Sequence, residues 1–136
     1  MIPRVTRLSP LLTLTFAGAC SGPDPIIGTW DLRSRGGYAF PLTEEIDYEC
    51  SLRVSVEVEV DDDLDGTRMT RNDYSADCDA DDYIEIAQLE IEPEGGGDYE
   101  ITEYADGEVT FYACEIDGDD ELDCLDGGDL LKLKKR

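Results

Sequence analysis

The sequence predicts an all-β chain of about eight short antiparallel strands, arranged as an up-and-down barrel or, as the second architecture, a β-sandwich. Three observations lead there. Val54, Val56, Val58 and Val60 alternate with Arg53, Ser55, Glu57 and Glu59, a period-two pattern with one apolar face. Turn signals recur at short intervals, at Asp61–Gly66, Pro93–Gly97, Asp106-Gly107, Asp117–Asp120 and Gly127-Gly128. No stretch repeats apolar residues at helical spacing. The 136 residues allow one ordinary domain, and closing eight strands into a barrel removes the exposed edges that an open sheet would keep.

The elements follow in order. Ile26 to Arg35 reads as a first strand, and Gly36 to Asp47 as a loop carrying Tyr38, Phe40, Pro41 and Leu42. Two strands then form a hairpin about the acidic turn at Asp61–Gly66. Asp82 to Glu92 is the next strand; its apolar positions change parity between Ile86 and Leu89, which predicts a bulge near Ala87. Pro93-Glu-Gly-Gly-Gly97 breaks that strand. Tyr99–Ala105 and Glu108–Ile116 flank Asp106-Gly107, a two-residue hairpin signal. Glu121–Leu125 and Leu130–Lys134 complete the set.

Hairpin symmetry also pairs the cysteines. Folded about Leu64, the first hairpin sets Cys50 opposite Cys78; folded about Asp119, a later one sets Cys114 opposite Cys124. Directly opposed residues in an antiparallel pair lie close enough for a disulfide. A four-thiolate metal site fits poorly, because no C-x-x-C pair is present.

The fifth cysteine belongs to the N-terminus. Arg4 and Arg7 precede the apolar run Leu8–Phe16, which is too short to span a bilayer, and no acidic residue occurs before Cys20. Ala17-Gly18-Ala19-Cys20, followed by Ser21, resembles the lipobox of bacterial lipoproteins, with Ala17 where that family usually has Leu. The resemblance implies a signal peptide over 1–19, a lipid on Cys20, a tether over 20–27 and a β domain over 28–136. It also implies a place in the bacterial cell envelope, with Ser21 favouring the outer membrane. Export would make the four remaining cysteines a disulfide framework.

Charge and composition restrict the function. Against 34 acidic residues stand 11 basic ones, a net charge of −23, which excludes nucleic-acid binding through a basic surface. Histidine is absent, so Ser-His-Asp and Cys-His nucleophile systems and imidazole metal sites are excluded. No carboxylate pair stands out for acid–base work, and the expected role is binding rather than catalysis. Seven Tyr, three Phe and one Trp give a core that a disordered acidic tail would lack.

Gly28-Thr29-Trp30 on the first strand of an eight-strand meander resembles the lipocalin and calycin group, in particular small lipocalin-like domains of bacterial lipoproteins. The resemblance implies that Trp30 plugs the closed end against a basic side chain from the last strand, Lys132 or Lys134. Tyr38, Phe40 and Leu42 would then form a lid over a small apolar ligand at the open end, or fold back as a plug. Asp61-x-Asp63-x-Asp65-Gly66 matches the opening of an EF-hand-type loop, with Asn72 rather than Glu at its twelfth position. Calcium on Asp61, Asp63 and Asp65 is one reading of that turn, and a solvated acidic turn is the other. The alternative function is a structural or adhesive surface lipoprotein with cation-bridged acidic loops, a filled core and no small ligand.

Overall fold

The computed structural model describes residues 24–136. The signal peptide expected at 1–19 and the lipid site expected at Cys20 lie outside the described residues. Ten strands form one antiparallel sheet: β1 (Gly28–Arg35), β2 (Tyr38–Ala39), β3 (Leu42–Glu45), β4 (Ser51–Val60), β5 (Asp65–Tyr74), β6 (Tyr83–Gly95), β7 (Asp98–Ala105), β8 (Glu108–Asp117), β9 (Glu121–Asp126) and β10 (Asp129–Lys135). From β4 to β10 each strand pairs with the next, and β10 pairs with β1. The ladder closes where Gly28–Asp31 of β1 meets Glu57–Val60 of β4. This is an eight-stranded antiparallel barrel. The two remaining strands, β2 and β3, form a flap in the stretch expected to be a loop, with β2 on β1 and β3 on β4.

One end of the barrel is sealed. Trp30 and Ile26 are fully buried and Leu122 nearly so, packed with Val60, Ile91, Tyr99 and Leu133. The Trp30 indole N–H donates to the Ile26 carbonyl at 2.8 Å, so the ring's polar edge is satisfied inside the core. Its cationic neighbour is Lys135, not Lys132 or Lys134. Leu131 and Leu133 face inward, so the period of two carries Lys135 inward and opposite Trp30, leaving Lys132 and Lys134 to pair with Asp123 and Asp120 outside. Lys135 Nζ sits 5.3 Å from the indole centroid and donates to the Pro25 carbonyl at 2.8 Å.

The segment Asp24–Ile27, expected in the tether, is packed onto this floor. Tyr99 Oη donates to Asp24, whose carboxylate also accepts from the Ile26 amide at 3.1 Å. The packed unit thus includes Asp24–Ile27. Gly28 is needed where Lys135 crosses: its φ is 137°, and a Cβ there would meet Lys135 Cε at 2.7 Å. Gly66 answers a second close approach, since a Cβ would meet the Glu59 carbonyl oxygen at 2.9 Å.

Both cysteine pairs are joined as the hairpins predicted. Cys114 and Cys124 are directly opposed in the β8–β9 ladder, Cα to Cα 4.0 Å. Cys50 and Cys78 are joined at 4.7 Å, but by a different route. The β4–β5 ladder runs from Val60↔Gly66 to Leu52↔Tyr74, so it folds about Asp63, one residue before Leu64. Asp61 fixes that centre, because its carboxylate accepts from the amides of Asp63 and Asp65 at 2.9 and 3.0 Å. Both cysteines lie past the ladder's end, and a turn closed by the Cys78 amide on the Ser75 carbonyl returns Cys78 to Cys50.

The expected bulge at Ala87 does not form. β6 keeps one register against β5 from Asp65↔Glu90 to Asn72↔Tyr83. Ala87, Leu89 and Ile91 share the buried face, while Ile84 and Ile86 are exposed on the outer one. The irregularity lies instead between Pro93 and Gly95, where proline offers no amide to the ladder and glycines curl the strand.

The two disulfides should contribute unequally. Chain entropy assigns roughly 3–4 kcal/mol to the bond spanning 28 residues and roughly 2–3 kcal/mol to the one spanning 10. Urea unfolding of the Cys50→Ala/Cys78→Ala and Cys114→Ala/Cys124→Ala variants checks this. The first should lose more stability than the second.

Candidate functional site

The barrel interior changes character along its axis. Above the apolar floor, the inward positions of β5 are Arg68, Thr70 and Asn72, and β7 turns from Tyr99 and Ile101 to Glu103. Glu103 is buried, and its two carboxylate oxygens are both engaged. Oε2 accepts from Arg68 Nη2 at 2.6 Å and Oε1 from the Tyr112 hydroxyl at 2.8 Å. Arg68 Nη1 also donates to Thr70 Oγ1 at 2.6 Å, while its Nε is buried without a hydrogen-bond partner. Higher up, Asn72 Nδ2 reaches Glu85 at 3.4 Å. The space left beside this network is about 50 Å³, walled by Val58, Leu89, Ile101 and Leu122. That volume holds a few waters and no drug-sized ligand.

The mouth is built by a bulge in β1. Leu32 opposes Leu133 and Ser34 opposes Lys132, so Arg33 is the extra residue. The bulge shifts the alternation by one and sets Arg35 opposite the inward-facing Leu131. There Arg35 pairs with Asp126 at 3.2 Å and Asp129 at 3.7 Å. Beside it the flap delivers Tyr38, Phe40 and Leu42. The three residues converge with Arg35, Gly36 and Asp129 on a depression of about 240 Å³. Tyr38 is 69% exposed, whereas Phe40 and Leu42 are half-buried and Phe40 packs against the core. The lid residues therefore form a rim pocket, separate from the barrel interior.

The acidic turns gather at the other end. Those joining β4 to β5, β6 to β7 and β8 to β9 all lie at the sealed floor. In the first, the carboxylates that come within 4.8 Å of one another are Asp61, Asp62 and Asp63. Asp65 opens β5 and is not in that group. With one Asp61 oxygen capping the turn, the acid spacing has a structural cause without calcium.

The outer wall carries an apolar band. Tyr104 opposes Val109, Ala113 opposes Leu125, and Leu125 opposes Leu130, with Phe111 and Ile86 nearby in the ladder. Tyr104, Val109, Phe111 and Leu125 are each more than 40% exposed.

Sequence reading did not identify the Arg68–Glu103–Tyr112 network. β5 has no apolar alternation to mark its inner face. Only the pairing of Val58 with Arg68 assigns the arginine to the interior. The apolar pair Tyr99 and Ile101, continued by two to Glu103, was the available signal on β7.

Two phenols ionise well above the ordinary tyrosine range. For Tyr112, burial is the main cause, followed by the hydrogen bond to Glu103 and the charges of Glu103 and Asp126, with Arg68 opposing. For Tyr99 the causes are burial, then the hydrogen bond to Asp24 and its charge. An unfolded tyrosine releases its proton near pH ~10, while these folded ones retain it. Above that pH the folded state holds more protons than the unfolded, so stability falls as pH rises. Tyr112→Phe should make urea-measured stability fall less steeply above pH ~10, by up to about 1.4 kcal/mol per pH unit. An unchanged slope would remove Tyr112 from the alkaline transition.

A scan against protein-family models finds no match, and searches of curated proteins and of solved structures find none either.

Proposed function

We propose that this chain is a lipocalin-like binding protein of the bacterial cell envelope, lipid-anchored through Cys20, with its ligand seated at the barrel mouth. The observation that supports it best is the convergence of Tyr38, Phe40 and Leu42 with Arg35 on one depression at the open end. A filled interior limits that ligand to a small apolar group lying across the rim. The sealed floor would face the membrane, because the docked Asp24 comes only four positions after Cys20, a reach of roughly 14 Å. The acidic turns would then lie near the head groups, where a cationic envelope component or bridging calcium would meet them. No catalytic role is proposed.

A neutral apolar dye, N-phenyl-1-naphthylamine, tests the mouth. Its fluorescence should rise on binding and return to the free-dye level with Leu42→Glu, which places a charge on the rim.

A second reading is a structural or adhesive lipoprotein without a small ligand. The interior space of about 50 Å³ favours it, as does the exposed outer band at Tyr104, Val109, Phe111 and Leu125. A dye-inert protein that self-associates with calcium would support that reading over the first.

A further inference from the structure

The described residues include nine lysines and arginines in a strongly acidic protein, and six of them have a partner. Arg35, Arg68, Lys132, Lys134 and Arg136 pair with carboxylates, and Lys135 is held by Trp30 and the Pro25 carbonyl. Among the described residues, Arg33, Arg53 and Arg71 are the three arginines without a carboxylate within 4.0 Å. All three line one cavity of about 340 Å³. With 34 acidic residues available, their shared position is not explained by pairing within the chain.

The seam of the barrel brings them together. Pairing of β1 with β4 ends at Asp31↔Glu57. Beyond that point the two strands part, and the flap fills the gap through Ser34↔Ala39 and Leu42↔Val54. The β1 bulge presents Arg33, and β4 and β5 present Arg53 and Arg71 on the outer face, where Arg71 opposes Ser55. Arg71 makes its side-chain hydrogen bond to Met69 Sδ at 3.9 Å, and Asp73 opposes Arg53 in the ladder without forming an ion pair.

The carboxylate that lines the cavity is already held by a guanidinium. It belongs to Asp31, both of whose oxygens accept from Arg136, at 2.9 and 3.1 Å, and Arg136 also holds Glu57. What remains is three arginines lining a pocket whose other walls include Leu32, Phe40, Pro41 and Val56. Guanidinium matches the paired oxygens of phosphate, sulfate and carboxylate, and an apolar wall matches a ring or short chain.

We propose that this seam is a binding site for a small amphiphilic oxyanion, a phosphate or sulfate ester or a carboxylate on a compact apolar body. It lies on the open half of the barrel, away from the sealed floor, and a soluble anion is the source that this position favours. The site is independent of the rim pocket, with which it shares only Phe40.

Calorimetric titration of the exported, disulfide-bonded chain with phenyl phosphate tests it. Saturable binding is expected, weaker for inorganic phosphate, absent for phenol, and falling as salt rises. Arg53→Gln/Arg71→Gln should weaken phenyl phosphate by about tenfold or more while the thermal midpoint stays unchanged, because both side chains are exposed. Leu42→Ser, which removes the apolar rim contact without adding a charge, should leave phenyl phosphate binding intact, so failure of the rim reading and failure of this one are distinguishable. Equal binding by the arginine variant, equal binding of phenol, or no binding at all would overturn the proposal. Arginine-dependent capture of phosphatidic acid vesicles without phenyl phosphate binding would overturn the soluble source and assign the cavity to lipid head groups.

Discussion

Replacing Trp30 with alanine is expected to destabilise the protein by roughly 3–5 kcal/mol, the range for emptying a fully buried aromatic site. The indole is 0% exposed and packs within the floor cluster that also holds Ile26, Val60 and Leu122. Three further groups depend on it. The Ile26 carbonyl would lose its indole donor, Lys135 would lose its aromatic face, and the docked Asp24–Ile27 segment would lose its support. Urea unfolding followed by far-UV circular dichroism checks the size of the loss, since the only tryptophan cannot report on its own removal. A cost below about 1 kcal/mol would mean that the floor seals without Trp30.

The second large effect concerns the buried charge pair, and its size depends on whether one partner or both are removed. Glu103→Leu should cost roughly 3–5 kcal/mol, because it leaves the Arg68 guanidinium in the barrel without its carboxylate. Arg68 already carries one buried, unpartnered nitrogen, and Tyr112 would lose its acceptor as well. Adding Arg68→Met to Glu103→Leu should recover most of that loss. Two charges replaced by packed apolar groups are often neutral to stability, whereas one stranded charge is not. The double-mutant cycle therefore gives a large coupling energy, read from urea midpoints. Additive single effects would show that the two side chains do not share a buried pair.

The network's location gives it a second consequence. Arg68, Glu103 and Tyr112 occupy the middle of the barrel, where an apolar ligand would otherwise enter. Their mutual bonds close the interior, and under the proposed function they would confine ligand contact to the mouth and the seam. If the double apolar variant acquires dye binding that the parent lacks in its interior, the pair is what keeps the core closed.

The strand pattern was legible wherever one face was apolar and the turn chemistry was local. β4 announced itself through four alternating valines, and Asp106-Gly107 predicted the β7–β8 turn in which both residues take positive φ, 50° and 80°. The Cys114–Cys124 bond followed from turn position alone. Where a side chain sets the geometry, the sequence pattern was insufficient. Asp61 capping its own turn moved the β4–β5 register, and the flap strands β2 and β3 are too short to carry a period. At Ile84 and Ile86, apolar residues on the outer face imitated a change of parity.

The candidate site was legible in the same uneven way. Tyr38, Phe40 and Leu42 stood out because aromatic and aliphatic residues in a glycine-flanked loop suggest a lid. The interior polar tier and the seam arginines did not stand out, because their meaning arises from pairing between strands distant in sequence. Arg33, Arg53 and Arg71 come from three strands, and only the closure of β1 onto β4 brings them to one cavity.

The central claim, a closed and filled barrel that binds at its mouth, is tested most directly by mapping N-phenyl-1-naphthylamine on the ¹⁵N-labelled protein. Amide shifts on titration should cluster at Arg35–Leu42 and Asp129, leaving Val58, Leu89 and Leu122 around the interior space unmoved. Shifts centred on those interior residues, or no shifts anywhere at saturating dye, would contradict it.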